Sequence, residues 1–241
     1  MSQIRRTFVA EKIKGIVFDK DGTLLDFHAT WLPRAHAAAI AVADGDPKLA
    51  LVLLQAVGFD TDKNRVLGGS ILAAGNNYDV SLVWAPMVQK SIGQIESRLN
   101  KMFATSDYGD SIAVKELTPS LQKLGNLGLV LGVATMDSEA GIKATLSNFG
   151  CLHLFDYAVG YDSGFGSKPG PGMVLGFCQK TGLRPEQVMV VGDNTHDLHM
   201  GQSAGAGFNV GVLTGTSTRF ELTPDADLVL DSIADLAALW A

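Results

Sequence analysis

Two textures of apolar and polar positions divide the chain. In one, short apolar runs alternate with longer amphipathic stretches; in the other, Ala- and Leu-rich segments follow one another with few strand-like runs between them. The first run, Ile16-Val17-Phe18, has the β-prone composition of a buried parallel strand. Residues 26 to 112 then read as helical, with helices over 30–43, 47–57 and 81–104. Thr30 is the expected N-cap of the first of these, with Pro33 in its opening turn, and Asp46-Pro47 opens the second. After residue 113 the pattern becomes strand–helix alternation. Strands are expected at 127–134, 156–161, 187–191, 207–212 and 227–230, and helices at 138–149, 171–180, 196–204 and 232–240. Such alternation predicts an α/β fold, a doubly wound parallel sheet that receives ligands at the carboxyl ends of its strands. The N-terminal strand must join that sheet, because the acids at its end otherwise lack partners. The expected organisation is an α/β core from 1–25 and 113–241, interrupted by an all-helical insertion over 26–112.

Composition narrows the class. With 241 residues, 46% hydrophobic and 18% charged, the chain has ample material for a core and does not read as disordered. A net charge of −6 without a basic stripe disfavours nucleic acid as a partner, whereas phosphate can still be met locally by a metal, a lysine and backbone amides. Cys151 and Cys178 lie in no metal-ligand spacing and read as packed thiols. Arg5-Arg6-Thr7-Phe8-Val9 resembles the start of a twin-arginine export signal, but Glu11, Lys12 and Lys14 stand where its apolar segment would be. No apolar run is long enough to span a bilayer, so the expectation is a cytoplasmic protein with no membrane partner.

The chemistry concentrates at strand ends. Asp19 and Asp21 follow the first strand, and strand alternation sends both side chains towards one site. Two like charges there are costly unless a cation or a proton relieves them. A turn using Asp and Gly explains Gly22 but not the acid pair. Val188–Val191 is a second buried run ending in an acid, Asp193, with Asp197 four residues on. Magnesium needs a few carboxylate oxygens, and Asp19 with Asp193 on neighbouring strand ends can supply them. Asp197 could join directly, through water, or by orienting a neighbour. His196 and His199 read as solvated or capping residues. Thr135 ends another strand before Asp137-Ser138 opens a helix; its hydroxyl and the following amides, beginning with Met136, could hold an anionic oxygen or simply form a cap. Lys168 sits in Gly164-Phe165-Gly166-Ser167-Lys168-Pro169-Gly170-Pro171, where Pro and Gly restrict the backbone that aims its ammonium. A solvated loop lysine fits the same residues.

Together these elements resemble the haloacid dehalogenase superfamily, in its phosphohydrolase majority. The matching residues are Asp19-Lys20-Asp21-Gly22-Thr23, Thr135, Lys168, and Gly192-Asp193 with Asp197, and they span almost the whole chain. The resemblance implies a Rossmann-like core with a type-one helical cap in the insertion. It also implies a magnesium-dependent phosphatase working through an aspartyl-phosphate. In that scheme Asp19 is the nucleophile and Asp21 the acid–base group. Thr135 and Lys168 hold the phosphoryl oxygens. The Asp19 carboxylate, the Asp21 backbone carbonyl and Asp193 bind the metal. Lys20 departs from the apolar residue common between the two acids in this family; it is expected to point away from them, where it could pair with a nearby acid.

The layout is most similar to the phosphoglycolate phosphatase group, which includes β-phosphoglucomutase-like enzymes. That places specificity in the cap, with a small phosphorylated metabolite, 2-phosphoglycolate among the candidates, as the expected partner. Asn64-Arg65-Val66-Leu67-Gly68-Gly69-Ser70 is the candidate specificity loop, where Arg65 could meet a substrate carboxylate. A solvated arginine in an interhelical turn accounts for it equally well, and surface roles fit His28 and Arg34. The rivals are a sugar phosphomutase of the same fold and a non-hydrolytic phospho-acceptor. Either a monomer or a homodimer fits, since the Ala-rich helix at 30–43 is apolar on several sides.

Overall fold

The computed structural model describes residues 9–104 and 110–241; the Arg5-Arg6 pair lies outside them. Strand β1 (Gly15–Phe18) is central to a six-stranded sheet completed by β4 (Val130–Ala134), β5 (Tyr157–Val159), β6 (Val188–Gly192), β7 (Phe208–Val212) and β8 (Leu228–Leu230). The order is β5-β4-β1-β6-β7-β8, and every pairing is parallel. Both faces are covered, so the strands are almost wholly apolar, with buried Asn209 in β7 the polar exception. Ile16 and Phe18 join the core cluster on one face and Val17 that on the other. Phe177, from helix α8 (Gly172–Thr181), fills the space beside Gly15 and Gly132, where an added Cβ would lie 2.9 and 2.7 Å from its ring. The two halves of the sheet are wound in opposite directions from β1, which makes the strand ends around it the expected ligand crevice.

The insertion supplies helices α1 (Phe27–Val42), α2 (Pro47–Ala56), α3 (Ile71–Ala74), α4 (Asn77–Met87) and α5 (Ile92–Ala104). They enclose a hydrophobic cluster of their own, centred on Leu53, Leu54, Trp84, Ile95 and Leu99. Trp84 donates its indole N–H to the Leu53 carbonyl at 2.8 Å, satisfying the one polar atom of this buried ring.

Several expectations are corrected. The N-cap of α1 is Asp26, whose carboxylate accepts from the Ala29 amide; Thr30 is buried inside the helix and its Oγ1 accepts from Ile112 N–H at 2.9 Å. The helix expected over 81–104 is two, because Pro86 closes α4 and the chain turns through a left-handed Gln89. A two-residue hairpin, β2 (Phe59–Asp60) with β3 (Arg65–Val66), interrupts the helical insertion. Helix α6 (Leu117–Asn126) lies in a stretch that carried no expected element, and the terminal helix Ile233–Trp240 is 3₁₀. Among the described residues no helix is long and apolar enough to cross a membrane.

Candidate active site

The carboxyl ends of β1, β4 and β6 bring the chemistry-bearing residues together. Asp19 continues the pairing of β1 with β6 by donating its N–H to the Val191 carbonyl at 2.8 Å. Its carboxylate therefore has a fixed root at the centre of the sheet. Asp193 follows β6 directly, and Asp197 lies in the first turn of helix α9 (Thr195–Ala204). Asp19, Asp193 and Asp197 are all buried, and each offers a carboxylate oxygen within 4.8 Å of the others.

One cation stands among them. The Lys168 ammonium donates to Asp19 Oδ1 at 2.5 Å and to Asp197 Oδ1 at 2.6 Å, and it is itself buried. Burial alone would favour a neutral lysine, but the two facing carboxylates outweigh it and hold the ammonium in its charged form. One positive charge cannot neutralise three buried acids. Burial, with the neighbouring acids adding to it, pushes the Asp19 carboxyl up to about 7 in spite of Lys168, and raises Asp193 as well. The alternative reading of Lys168 as a solvated loop residue does not fit this burial.

The oxygens are shared out unequally. Asp197 Oδ2 accepts from the Asn194 N–H in a capping box, so both Asp197 oxygens are engaged and it orients Lys168. Asp193 Oδ2 accepts from Thr216 N–H at 2.8 Å and Thr216 Oγ1 at 3.3 Å. Among the described residues no hydrogen bond reaches Asp19 Oδ2 or Asp193 Oδ1. Two carboxylate oxygens are therefore left for a cation that would relieve the buried charge, which fits a hard divalent metal. Gly22, at φ +93°, lies so close that an added Cβ would sit 2.5 Å from Asp193 Cγ. A Cβ added at Gly215 would meet the same carboxylate. The Leu213-Thr214-Gly215-Thr216 loop after β7 is thus part of the site, and the Thr214 hydroxyl donates to the Gly22 carbonyl at 2.7 Å. Sequence reasoning missed it, although a Thr- and Gly-rich segment following a core strand was the available signal.

Thr135 directly follows β4 with its side chain buried, and Oγ1 accepts from the Asp137 N–H at 3.2 Å, which leaves its own proton to donate. Met136 is partly buried beside it, and Ser138 caps the next helix, α7 (Glu139–Asn148), by accepting from the Gly141 N–H. Asp21 is placed differently from the other acids: its carboxylate is held by Trp31 and by Lys20. Lys20 does not turn away from the acid pair as expected. Its ammonium lies 2.8 Å from Asp21 and 3.1 Å from Asp137.

The remaining candidates lie outside the carboxylate cluster. Arg65, in β3, is part of the cap face that meets the core: an added Cβ at Gly68, three residues on, would lie 2.9 Å from Ser217 Oγ. The Arg65 Nε is buried without a hydrogen-bond partner. His28 accepts from the Val66 N–H through Nε2, tying α1 to the hairpin. Arg34 stacks over Trp31 and donates to Ser111 Oγ. His196 contacts Asn194 and His199 pairs with Asp225, so neither histidine is directed to the carboxylates. Both cysteines are buried free thiols.

This arrangement has counterparts. A protein from Pectobacterium atrosepticum named phosphoglycolate phosphatase is 27% identical over 235 residues, covering 94% of this chain and 92% of that protein. One of the same name from Aliivibrio fischeri is 29% identical over 196 residues, covering 81% and 82%. Among solved structures, a predicted phosphoglycolate phosphatase from Haemophilus somnus 129PT superposes with a TM-score of 0.74 at 21% identity, covering 95% of this chain and 99% of that one, which establishes the shared fold. The model of the haloacid dehalogenase-like hydrolases matches residues 13–205, a span that begins before β1 and includes every acid and the lysine of the cluster. The chain belongs to that family of hydrolases.

Proposed function

We propose that the protein is a magnesium-dependent phosphatase that hydrolyses a small phosphorylated metabolite through an aspartyl-phosphate on Asp19. The observation that carries this reading is the state of Asp19: buried, anchored to Lys168 by one oxygen and unengaged at the other. Such a carboxylate is oriented for attack and is held beside the cation that would also bind an incoming phosphoryl oxygen. Magnesium would be held by Asp19, Asp193 and the Asp21 backbone carbonyl, and when bound it offsets the negative charge that otherwise opposes approach of a phosphate.

The chain's own residues would divide the rest of the work. Asp19 forms a bond to phosphorus as the bond to the leaving alkoxide breaks, and Asp21 gives that oxygen its proton. Asp21, now a carboxylate, takes a proton from the water that attacks phosphorus, and the bond between phosphorus and Asp19 breaks to release phosphate. Lys168, the Thr135 hydroxyl and the Met136 amide would hold the phosphoryl oxygens through both steps. Replacement of Asp19 by Asn should abolish hydrolysis of 4-nitrophenyl phosphate while leaving the circular dichroism spectrum unchanged. Retained turnover would contradict the nucleophile assignment.

The metal reading has a stability signature. Asp19 keeps a proton in the folded chain up to about 7 but loses it near 3.8 when unfolded. A raised carboxyl supports the fold at low pH, and that support fades as pH rises through the folded value. Metal-free protein should therefore melt at lower temperature as pH rises across this window. Added magnesium should raise the melting temperature at about pH 7.5 and have little effect at about pH 5. An equal shift at both would contradict a site built from these acids.

The substrate follows from the cap. The relatives named phosphoglycolate phosphatase make 2-phosphoglycolate the first compound to test, and Arg65 is the proposed carboxylate ligand. In a panel of phosphorylated metabolites, Arg65→Ala should raise KM for carboxylate-bearing substrates about tenfold or more while sparing 4-nitrophenyl phosphate. An equal effect on both would remove Arg65 from substrate recognition.

A further inference from the structure

Lys20 is an unusual residue to bury. It is 1% exposed, at the end of the central strand, yet it takes no part in the Lys168 cluster. Its ammonium donates to Asp21, 2.9 Å from Oδ1 and 2.8 Å from Oδ2, and pairs with Asp137 Oδ2 at 3.1 Å. Burial disfavours the charged lysine, but these two carboxylates outweigh that and keep it cationic. Asp137 is itself immobilised: its Oδ1 accepts from Ser138 N–H at 2.7 Å, its backbone N–H donates to Thr135 Oγ1, and its carbonyl accepts from Tyr161 N–H.

The second donor comes from the cap. Trp31, in α1, gives its indole N–H to Asp21 Oδ1 at 2.7 Å. That ring is held from three sides, with Phe103 edge-on at 6.0 Å, the Arg34 guanidinium at 5.2 Å and the Lys20 ammonium at 6.0 Å from its centroid. Asp21 Oδ1 thus receives two donors, and Oδ2 faces the same Lys20 ammonium as closely.

We propose that Lys20 and Trp31 are positioning residues for Asp21: the ammonium, set against both oxygens, and the indole N–H on Oδ1 fix the orientation of the carboxyl that carries the proton the reaction moves. The inference rests on the phosphatase reading given above. In the first step the proton passes from the Asp21 carboxyl to the leaving oxygen as phosphorus bonds to Asp19 and its bond to that oxygen breaks. In the second, the Asp21 carboxylate takes a proton back from the attacking water. Lys20 ties this group to the Thr135–Asp137 turn, and Trp31 ties it to the cap, so the proton carrier is oriented from both sides of the cleft.

Leaving-group dependence separates positioning from mere structural support. 4-Nitrophenolate departs with little help from an acid, whereas phenolate needs its proton more. The value of kcat/KM covers the steps through transfer of phosphorus to Asp19, so it isolates the acid role. Lys20→Met and Trp31→Phe should each lower kcat/KM for phenyl phosphate roughly 10- to 100-fold, while 4-nitrophenyl phosphate loses less than about threefold. Trp31→Phe keeps the aromatic packing and removes only the donor, so it tests the idea even if Lys20→Met fails to fold. Equal losses on both esters, or no loss on either, would overturn the positioning role. A wild-type protein that hydrolyses neither ester would instead sink the phosphatase reading, and this inference with it.

Discussion

Among the described residues Lys168 supplies the one ammonium paired within a cluster of three carboxyl groups that the sheet forces together, and the rest of the site is arranged around that imbalance. Parallel strands end side by side, so acids placed immediately after β1 and β6 must share one small volume. Asp197 is spent on orienting the lysine. Asp19 and Asp193 each retain an unengaged oxygen, and burial raises both carboxyls. A cluster left in that condition costs stability. Its persistence is understandable if a cation and a phosphoryl group are what it is built to receive.

The surroundings hold the imbalance in place. Gly22 and Gly215 both press on the Asp193 carboxylate, at positions where any side chain would displace it. Thr216 fixes one Asp193 oxygen, and Thr214 joins the same loop to Gly22. Asp21 adds to the negative field at Asp19 but has partners of its own: Lys20, which also meets Asp137, and Trp31 reaching in from the cap. Segregating the two lysines in this way gives Asp19 and Asp21, two residues apart, different partners. In the proposed reaction one forms the bond to phosphorus and the other moves protons.

The core was legible in the sequence because its signals are local. Ile16-Val17-Phe18 before Asp19, and Val188–Val191 before Gly192-Asp193, each combine a buried strand with an acid that a strand end must justify. What escaped was short or depended on distant contacts. Two-residue strands such as Phe59–Asp60 and Arg65–Val66 are too brief to show a period. Helix α6 contains Pro119 and Gly125, which mask its helical character. Lys20 was misread because strand alternation was extended past Phe18, where β1 ends, and because a long side chain can fold back on its neighbour. The part played by Trp31, by Asp137 and by the loop carrying Thr216 arises only when the cap, β4 and β7 meet β1, and no spacing along the chain encodes it.

The central claim is that Asp19 accepts the phosphoryl group. It is tested most directly by mixing the enzyme with excess 4-nitrophenyl phosphate and magnesium, quenching in acid within the first turnover, and analysing tryptic peptides by mass spectrometry. The account predicts that the peptide Gly15–Lys20 gains the mass of one HPO₃ and loses it on treatment with hydroxylamine. A burst of 4-nitrophenol with that peptide unmodified, or with the phosphoryl group on another residue, would contradict it.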